Sequence, residues 1–113
     1  PTILAMAGVP KSAGMQGADL QLLLRDVKAK VREDWYYEHV YTDPARRPIP
    51  RTEGVRSERW KYIRYPGANP PVEELFDLAA DPHEKANLAM DPAYHSTLGR
   101  MRVRCDEWGG TLK

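Results

Sequence analysis

Aromatic and basic side chains alternate through the middle of the chain, where together they could hold a ligand. The run contains Arg56, Arg59, Arg64, Trp60, Tyr62 and Tyr65. Such a mixture can bind a sugar ring, an anionic group or single-stranded nucleic acid. The alternative is a solvated sheet face on which Glu53 and Glu58 pair with the arginines while the aromatic rings enter the core. We favour this alternative because the charges nearly cancel, with a formal net charge of +1.

Residues that could act as a nucleophile or a metal ligand are few and scattered. Cys105 is the only cysteine, which excludes an intrachain disulfide and a multi-cysteine metal site. Its position among helical residues predicts a buried apolar side chain. The histidines lie too far apart in sequence to indicate a metal cluster: His39, His83 and His95. Asp81 and Glu84 flank Pro82 with the spacing of a helix start, which explains them better than a calcium site does.

Two helical pieces are predicted in the N-terminal third of the chain. Residues 1 to 8 begin with a proline and end with a glycine, as many short helices do. Apolar residues then recur at helical spacing and predict an amphipathic helix: Leu20, Leu23, Leu24, Val27 and Val31. The longest apolar stretch, residues 20 to 24, is far shorter than the roughly 20 residues needed to cross a bilayer.

The middle of the chain predicts short strands. Alternating residues from Trp35 to Thr42 indicate the first strand, and prolines at 44, 48 and 50 predict an exposed loop after it. Two β-prone runs, at 54–57 and 60–65, predict a hairpin, and residues 74–78 predict one more strand.

The C-terminal quarter is predicted to be helical. A turn of helix should begin at Asp81, and a longer helix should begin at Asp91-Pro92 and end at Gly109-Gly110. Apolar residues make up 42% and charged residues 29% of the 113 residues, a composition typical of one modest globular domain. We therefore predict an α+β fold, with a small antiparallel β-sheet of three or four strands packed against a C-terminal helix and N-terminal helical pieces.

Several linked segments resemble the C-terminal region of sulfatases, members of the alkaline-phosphatase-like superfamily. They follow one another in the order and spacing of that family: residues 1–10, 14–24, 35–39, 52–65, 74–78, 81–88 and the closing helix to Trp108. The resemblance implies a four-stranded antiparallel sheet with a C-terminal helix, docked onto a larger α/β domain. It also implies a boundary, with 1–33 as the end of the catalytic-domain region and linker helix and 34–113 as the C-terminal sulfatase subdomain.

The resemblance implies calcium and a formylglycine for the full-length enzyme, the latter made from Cys or Ser in a Cys/Ser-x-Pro-x-Arg motif. Cys105 is followed by Asp106, and the run from Ser96 to Arg100 has Leu98 where the proline belongs. No catalytic residue and no metal ligand can therefore be assigned in this segment. We expect the parent protein to hydrolyse sulfate esters and this chain alone to be inactive.

Substrate contacts are also implied by the resemblance, since related enzymes use this subdomain to shape the substrate pocket. His39, with Arg46 or Arg47 from the following loop, could line the substrate entrance; the alternative, which we favour for His39, is a satisfied structural histidine. The expected partners are the N-terminal catalytic domain and a sulfated small molecule or glycan, without nucleic acid or membrane. Exposed docking surface would make the fragment self-associate. A periplasmic or secreted location is suggested by the resemblance.

Two other functions fit the same residues. A free-standing module could use the aromatic and basic sheet face to bind an anionic glycan or to assemble with another subunit. The C-terminal part of a phosphonate or phosphate monoester hydrolase of the same superfamily would share this architecture.

Overall fold

The computed structural model describes residues 1–40 and 49–111, and the chain divides into two compact units, residues 1–33 and 34–113. The first unit contains two short helices, α1 (Thr2–Met6) and α2 (Gln21–Arg25). Helix α1 agrees with the predicted helix, and Gly8 follows it with a φ of 69°, a left-handed conformation that glycine adopts readily. No helix in the described residues is long and apolar enough to cross a membrane.

The predicted amphipathic helix from residue 20 to 31 is wrong beyond its first turns. Helix α2 ends at Arg25, and Asp26 takes an extended conformation with φ −140° and ψ 107°. Leu24 and Val27 remain 78% and 91% exposed. A short helix is marginal by itself and is stabilised mainly by burying an apolar face, so correct spacing without burial does not sustain it.

Four strands form one antiparallel sheet in the second unit, in the order β1-β2-β3-β4. They are β1 (Asp34–His39), β2 (Thr52–Ser57), β3 (Trp60–Tyr65) and β4 (Val72–Asp77). The predicted fold class is confirmed. Strand β1 ends earlier than predicted, at His39, and residues 41 and 42 of that prediction lie outside the described residues.

The segment after β4 is a turn, so the predicted helical turn at Asp81 is wrong. Glu84 has a φ of 54°, which breaks a right-handed helix, and its carboxylate binds Lys61 Nζ at 2.5 Å instead of capping. The Asp81 carboxylate accepts hydrogen bonds from the backbone N–H groups of Lys85 and Ala86, at 2.6 and 2.8 Å. The chain then runs along β4, where the Leu88 N–H donates to the Leu75 carbonyl at 2.8 Å. This segment covers an otherwise unpaired strand edge.

The last helix, α3 (His95–Thr111), follows a 3₁₀ turn at Pro92–Tyr94. Asp91 caps that turn, because its side chain accepts a hydrogen bond from the Ala93 N–H at 2.9 Å. The prediction that the two glycines end the helix is wrong, since α3 continues to Thr111. Glycine permits a helix end without imposing one.

The core lies between α3 and one face of the sheet, which we call the helix face. Its buried residues are Val55, Tyr62, Leu75, Ala89, Leu98, Met101 and Cys105. Cys105 is fully buried, as predicted. Because side chains alternate along a strand, the opposite face carries a different set of residues, and no described helix of residues 34–113 packs on it. We call it the far face; it includes Trp35, Tyr37, His39, Gly54, Ile63, Tyr65, Val72 and Glu74.

Ion pairs reinforce the packing of α3. Arg104 donates to both Asp34 carboxylate oxygens, at 2.6 and 2.9 Å, and the indole N–H of Trp108 donates to the same carboxylate at 2.8 Å. Arg102 Nε donates to Glu73 at 2.7 Å. These charged groups of the helix therefore have partners on the sheet.

Candidate functional site

The sequence-predicted site residue that the structure describes, His39, ends strand β1. Its backbone pairs with Thr52 of β2, at the sheet end where β3 finishes with Tyr65 and β4 starts with Val72. The alternation of side chains places these four residues on the far face. Arg46 and Arg47 lie outside the described residues, so their predicted association with His39 stays a prediction.

One atom of the His39 imidazole has no partner in the part of the chain that the structure describes. Its Nε2 atom is buried and has no hydrogen-bond partner among the residues that the structure describes. Leaving a buried polar atom without a partner costs about 1–3 kcal/mol. This atom therefore favours a further group at the same place, either a ligand or another part of the protein.

A cavity of about 340 Å³ opens at the same end of the sheet. Its lining is mostly apolar and consists of Pro50, Arg51, Tyr65, Gly67, Ala68 and Val72. Arg51 is half exposed and donates to Glu53 Oε1 at 2.9 Å, which positions its guanidinium. Arg51, which directly precedes strand β2, was not among the cationic residues that the sequence analysis singled out for this end of the sheet.

The aromatic and basic run does not form one binding face. Trp60, Tyr62 and Arg64 belong to the helix face, where Arg64 donates to Glu53 at 2.8 Å and to Asp106 at 2.6 Å. Arg56 lies on the far face, with its guanidinium carbon 5.3 Å from the centre of the Trp35 ring. Arg59 donates three hydrogen bonds to the Asp77 carboxylate. Alternation within the strands thus divides these residues between the two faces of the sheet. The arginines that pair with carboxylates are largely neutralised and are poorly suited to bind an anionic glycan.

The comparisons with known proteins agree with this architecture. The family described as N-sulphoglucosamine sulphohydrolase, C-terminal, matches residues 1–108. The chain belongs to this family of sulfatase C-terminal domains. A Δ4,5-hexuronate-2-O-sulfatase of Bacteroides thetaiotaomicron is 36% identical over 96% of the chain and 22% of that protein. PehA of Trinickia caryophylli, a multifunctional alkaline phosphatase superfamily protein, is 33% identical over 96% of the chain and 23% of its own length.

Solved structures of sulfatases share the fold. BT4656, solved in complex with its substrate D-glucosamine-2-N,6-O-disulfate, superposes with a TM-score of 0.82 and 29% identity, over 95% of this chain and 22% of that one. The chain thus spans about a fifth of the length of the proteins it matches. The resemblance of the segments to sulfatases is therefore confirmed, together with the alkaline-phosphatase-like superfamily.

The residues described in this sulfatase domain do not fit the catalytic groups of the family. Burial raises the pKa of the Cys105 thiol to about 11, which disfavours a reactive thiolate. No group of three or more His, Cys, Asp or Glu residues converges on a point within the described ranges 1–40 and 49–111. Asp77 is paired with Arg59 and Glu84 with Lys61.

Proposed function

We propose that this chain is the C-terminal part of an enzyme that hydrolyses sulfate esters, with a sulfated sugar as the substrate class. The match over residues 1–108 to the sulfatase C-terminal family carries the proposal. Two similar proteins, by their descriptions, act on sulfated sugars, one on a hexuronate 2-O-sulfate and one on a disulfated glucosamine. In this proposal calcium and formylglycine belong to the remainder of the enzyme and supply the electrophilic and nucleophilic chemistry there.

The part of this chain in catalysis is substrate positioning. We place the contacts at the end of the sheet that carries His39, with Arg46 and Arg47 from the following loop. The buried Nε2 of His39 supports this role because it lacks a partner among the described residues. An imidazole and two guanidinium groups would bind sulfate or carboxylate oxygens of a saccharide through charge-assisted hydrogen bonds.

The test compares the 113-residue chain with the intact protein encoded by the same gene. Sulfate release from sulfated disaccharides should occur with the intact protein and calcium, and should be absent with the chain alone. In the intact protein, His39→Ala should lower kcat/KM by about tenfold or more, the value of one hydrogen bond to a charged group. His83→Ala, at an exposed turn, is the matched control and should leave kcat/KM unchanged. Equal rates for both variants would remove His39 from the site.

A second candidate is hydrolysis of phosphate or phosphonate monoesters, favoured by the similarity to PehA. The same preparations can be assayed with phosphate and phosphonate monoesters. A kcat/KM higher on these than on every sulfated sugar tested would replace the first candidate with the second.

A further inference from the structure

We infer that the far face of the sheet is the surface by which this chain docks onto the remainder of the same polypeptide, with the outer side of α3 left in solvent. The inference rests on the proposed function for the nature of that remainder. It adds which side of the domain makes the contact and which residues lie in it.

The two candidate surfaces of residues 34–113 differ in polarity. The far face carries four aromatic side chains, three aliphatic or glycine positions and three charged residues: Trp35, Tyr37, Tyr65, Phe76, Gly54, Ile63, Val72, Arg56, Lys61 and Glu74. Exposed residues of α3 are mostly polar, and Val103 is the exposed large apolar residue of this helix. A stable interface has an apolar, aromatic-rich centre with few charged groups. The far face fits this description better.

Close packing at the centre of the far face makes it rigid enough to be a docking surface. A Cβ atom at Gly54 would lie 2.6 Å from the Tyr37 ring and 2.5 Å from the Tyr62 carbonyl oxygen. The Tyr37 ring therefore lies directly against the backbone of β2. An aromatic side chain held in this way loses little conformational entropy on binding.

Two apolar side chains remain exposed at opposite ends of the same face: Trp35 is 41% exposed and Val72 is 44% exposed. The cavity lined by Tyr65 and Val72 could receive an apolar side chain. Glu74 lies beside Tyr65, and burial together with this carboxylate raises the pKa of Tyr65. A partner that offers one apolar anchor and hydrogen-bond donors would match these features.

We assign the remainder of the polypeptide as the occupant of the far face, because the part outside the match is large in the similar proteins. The chain spans 22% of the hexuronate sulfatase and 22% of BT4656, so most of each protein lies outside the match. A second copy of the chain is the competing occupant, and concentration dependence separates the two.

Hydroxyl-radical footprinting of the 113-residue chain and of the intact protein tests the inference. Oxidation of Trp35 should fall by about fivefold or more in the intact protein, because an interface core excludes water. Met90, which is 87% exposed outside the far face, should be oxidised equally in both. Two matched variants of the intact protein complete the test. Val72→Arg should restore most of the Trp35 oxidation, whereas Val103→Arg on α3 should leave Trp35 protected.

Three results would overturn the inference. The first is equal Trp35 oxidation in the two proteins, and the second is loss of protection with Val103→Arg but not with Val72→Arg. The third is protection that disappears on dilution, which would indicate a second copy. Sulfate release measured on the same samples separates this inference from the proposed function. A protected far face without hydrolase activity would contradict only the function, and activity with an unprotected face would contradict only the docking.

Discussion

On the helix face of the sheet, each of the four strands provides a side chain to a core or an ion pair that α3 completes. The far face instead has partly exposed aromatic rings and a buried imidazole nitrogen of His39 without a described partner. Asp34, Glu53 and Glu73 all bind arginines on the first face. On the second face Trp35 is 41% exposed, and the buried Nε2 of His39 has no partner among the described residues. The difference suggests that the domain stabilises itself through one face and uses the other for contacts.

The largest expected effect follows from Leu75, which is fully buried beneath α3. Leu75→Ala should lower the free energy of unfolding by about 2–5 kcal/mol, because it removes buried methyl groups and leaves a cavity. Val72→Ala on the far face of the same strand should cost less than about 1 kcal/mol, since its side chain is half exposed. Urea denaturation of both variants measures the contrast. Similar losses would mean that the two faces contribute alike.

Gly54 tests the close packing of the far face. Gly54→Ala should lower the free energy of unfolding by about 1–3 kcal/mol, because the new methyl group meets the Tyr37 ring and a backbone carbonyl. Gly99→Ala in α3 is the matched control, as its Cβ would have no neighbour within 4 Å. That variant should instead stabilise the chain by up to about 1 kcal/mol through helix propensity. A neutral Gly54→Ala would show that Tyr37 moves easily.

Asp34 tests the ion pairs of the helix face. Asp34→Asn should cost about 1–2 kcal/mol, because a buried carboxylate that receives two hydrogen bonds from Arg104 and one from Trp108 loses its charge. Glu107→Gln removes the exposed partner of Arg104 and should cost less than about 0.5 kcal/mol. Thermal unfolding of the two variants ranks them, and an equal change would argue against burial as the cause.

The smallest expected effect is a pH dependence from Glu73. Hydrogen bonds from Arg102 hold the pKa of this carboxyl below its ordinary value in the folded chain. The folded state therefore binds the proton more weakly than the unfolded state, and this stabilisation is present above the unfolded pKa of about 4. It is lost as the pH falls through the lowered folded pKa. Because the pair is partly solvated, its contribution should not exceed about 1 kcal/mol.

Urea midpoints measured between about pH 3 and pH 6 test this contribution. Glu73→Gln should flatten the dependence on pH. An unchanged slope in the variant would assign the acid sensitivity to other carboxyls, such as Asp77, whose pKa is also lowered by its hydrogen bonds with Arg59.

Local patterns predicted the second unit better than the first. Alternation and turn residues located the strands, and the start signal at Asp91-Pro92 located the last helix, because these elements pack into a shared core. The helical period between residues 20 and 31 failed, since those apolar residues find no packed surface there. The Asp81-Pro82-x-Glu84 pattern also failed, since Glu84 has a left-handed φ of 54° and its carboxylate pairs with Lys61 of β3.

The sequence by itself determined the approximate positions of the strands, the closing helix, the buried cysteine and the resemblance to sulfatases, because these depend on local periodicity and on the order of linked segments. Only the tertiary structure decided which arginines are paired, which face of the sheet α3 covers, and that His39 Nε2 is buried without a described partner. These features depend on contacts between residues far apart in the chain, such as Asp34 with Arg104, and no local pattern encodes such a contact.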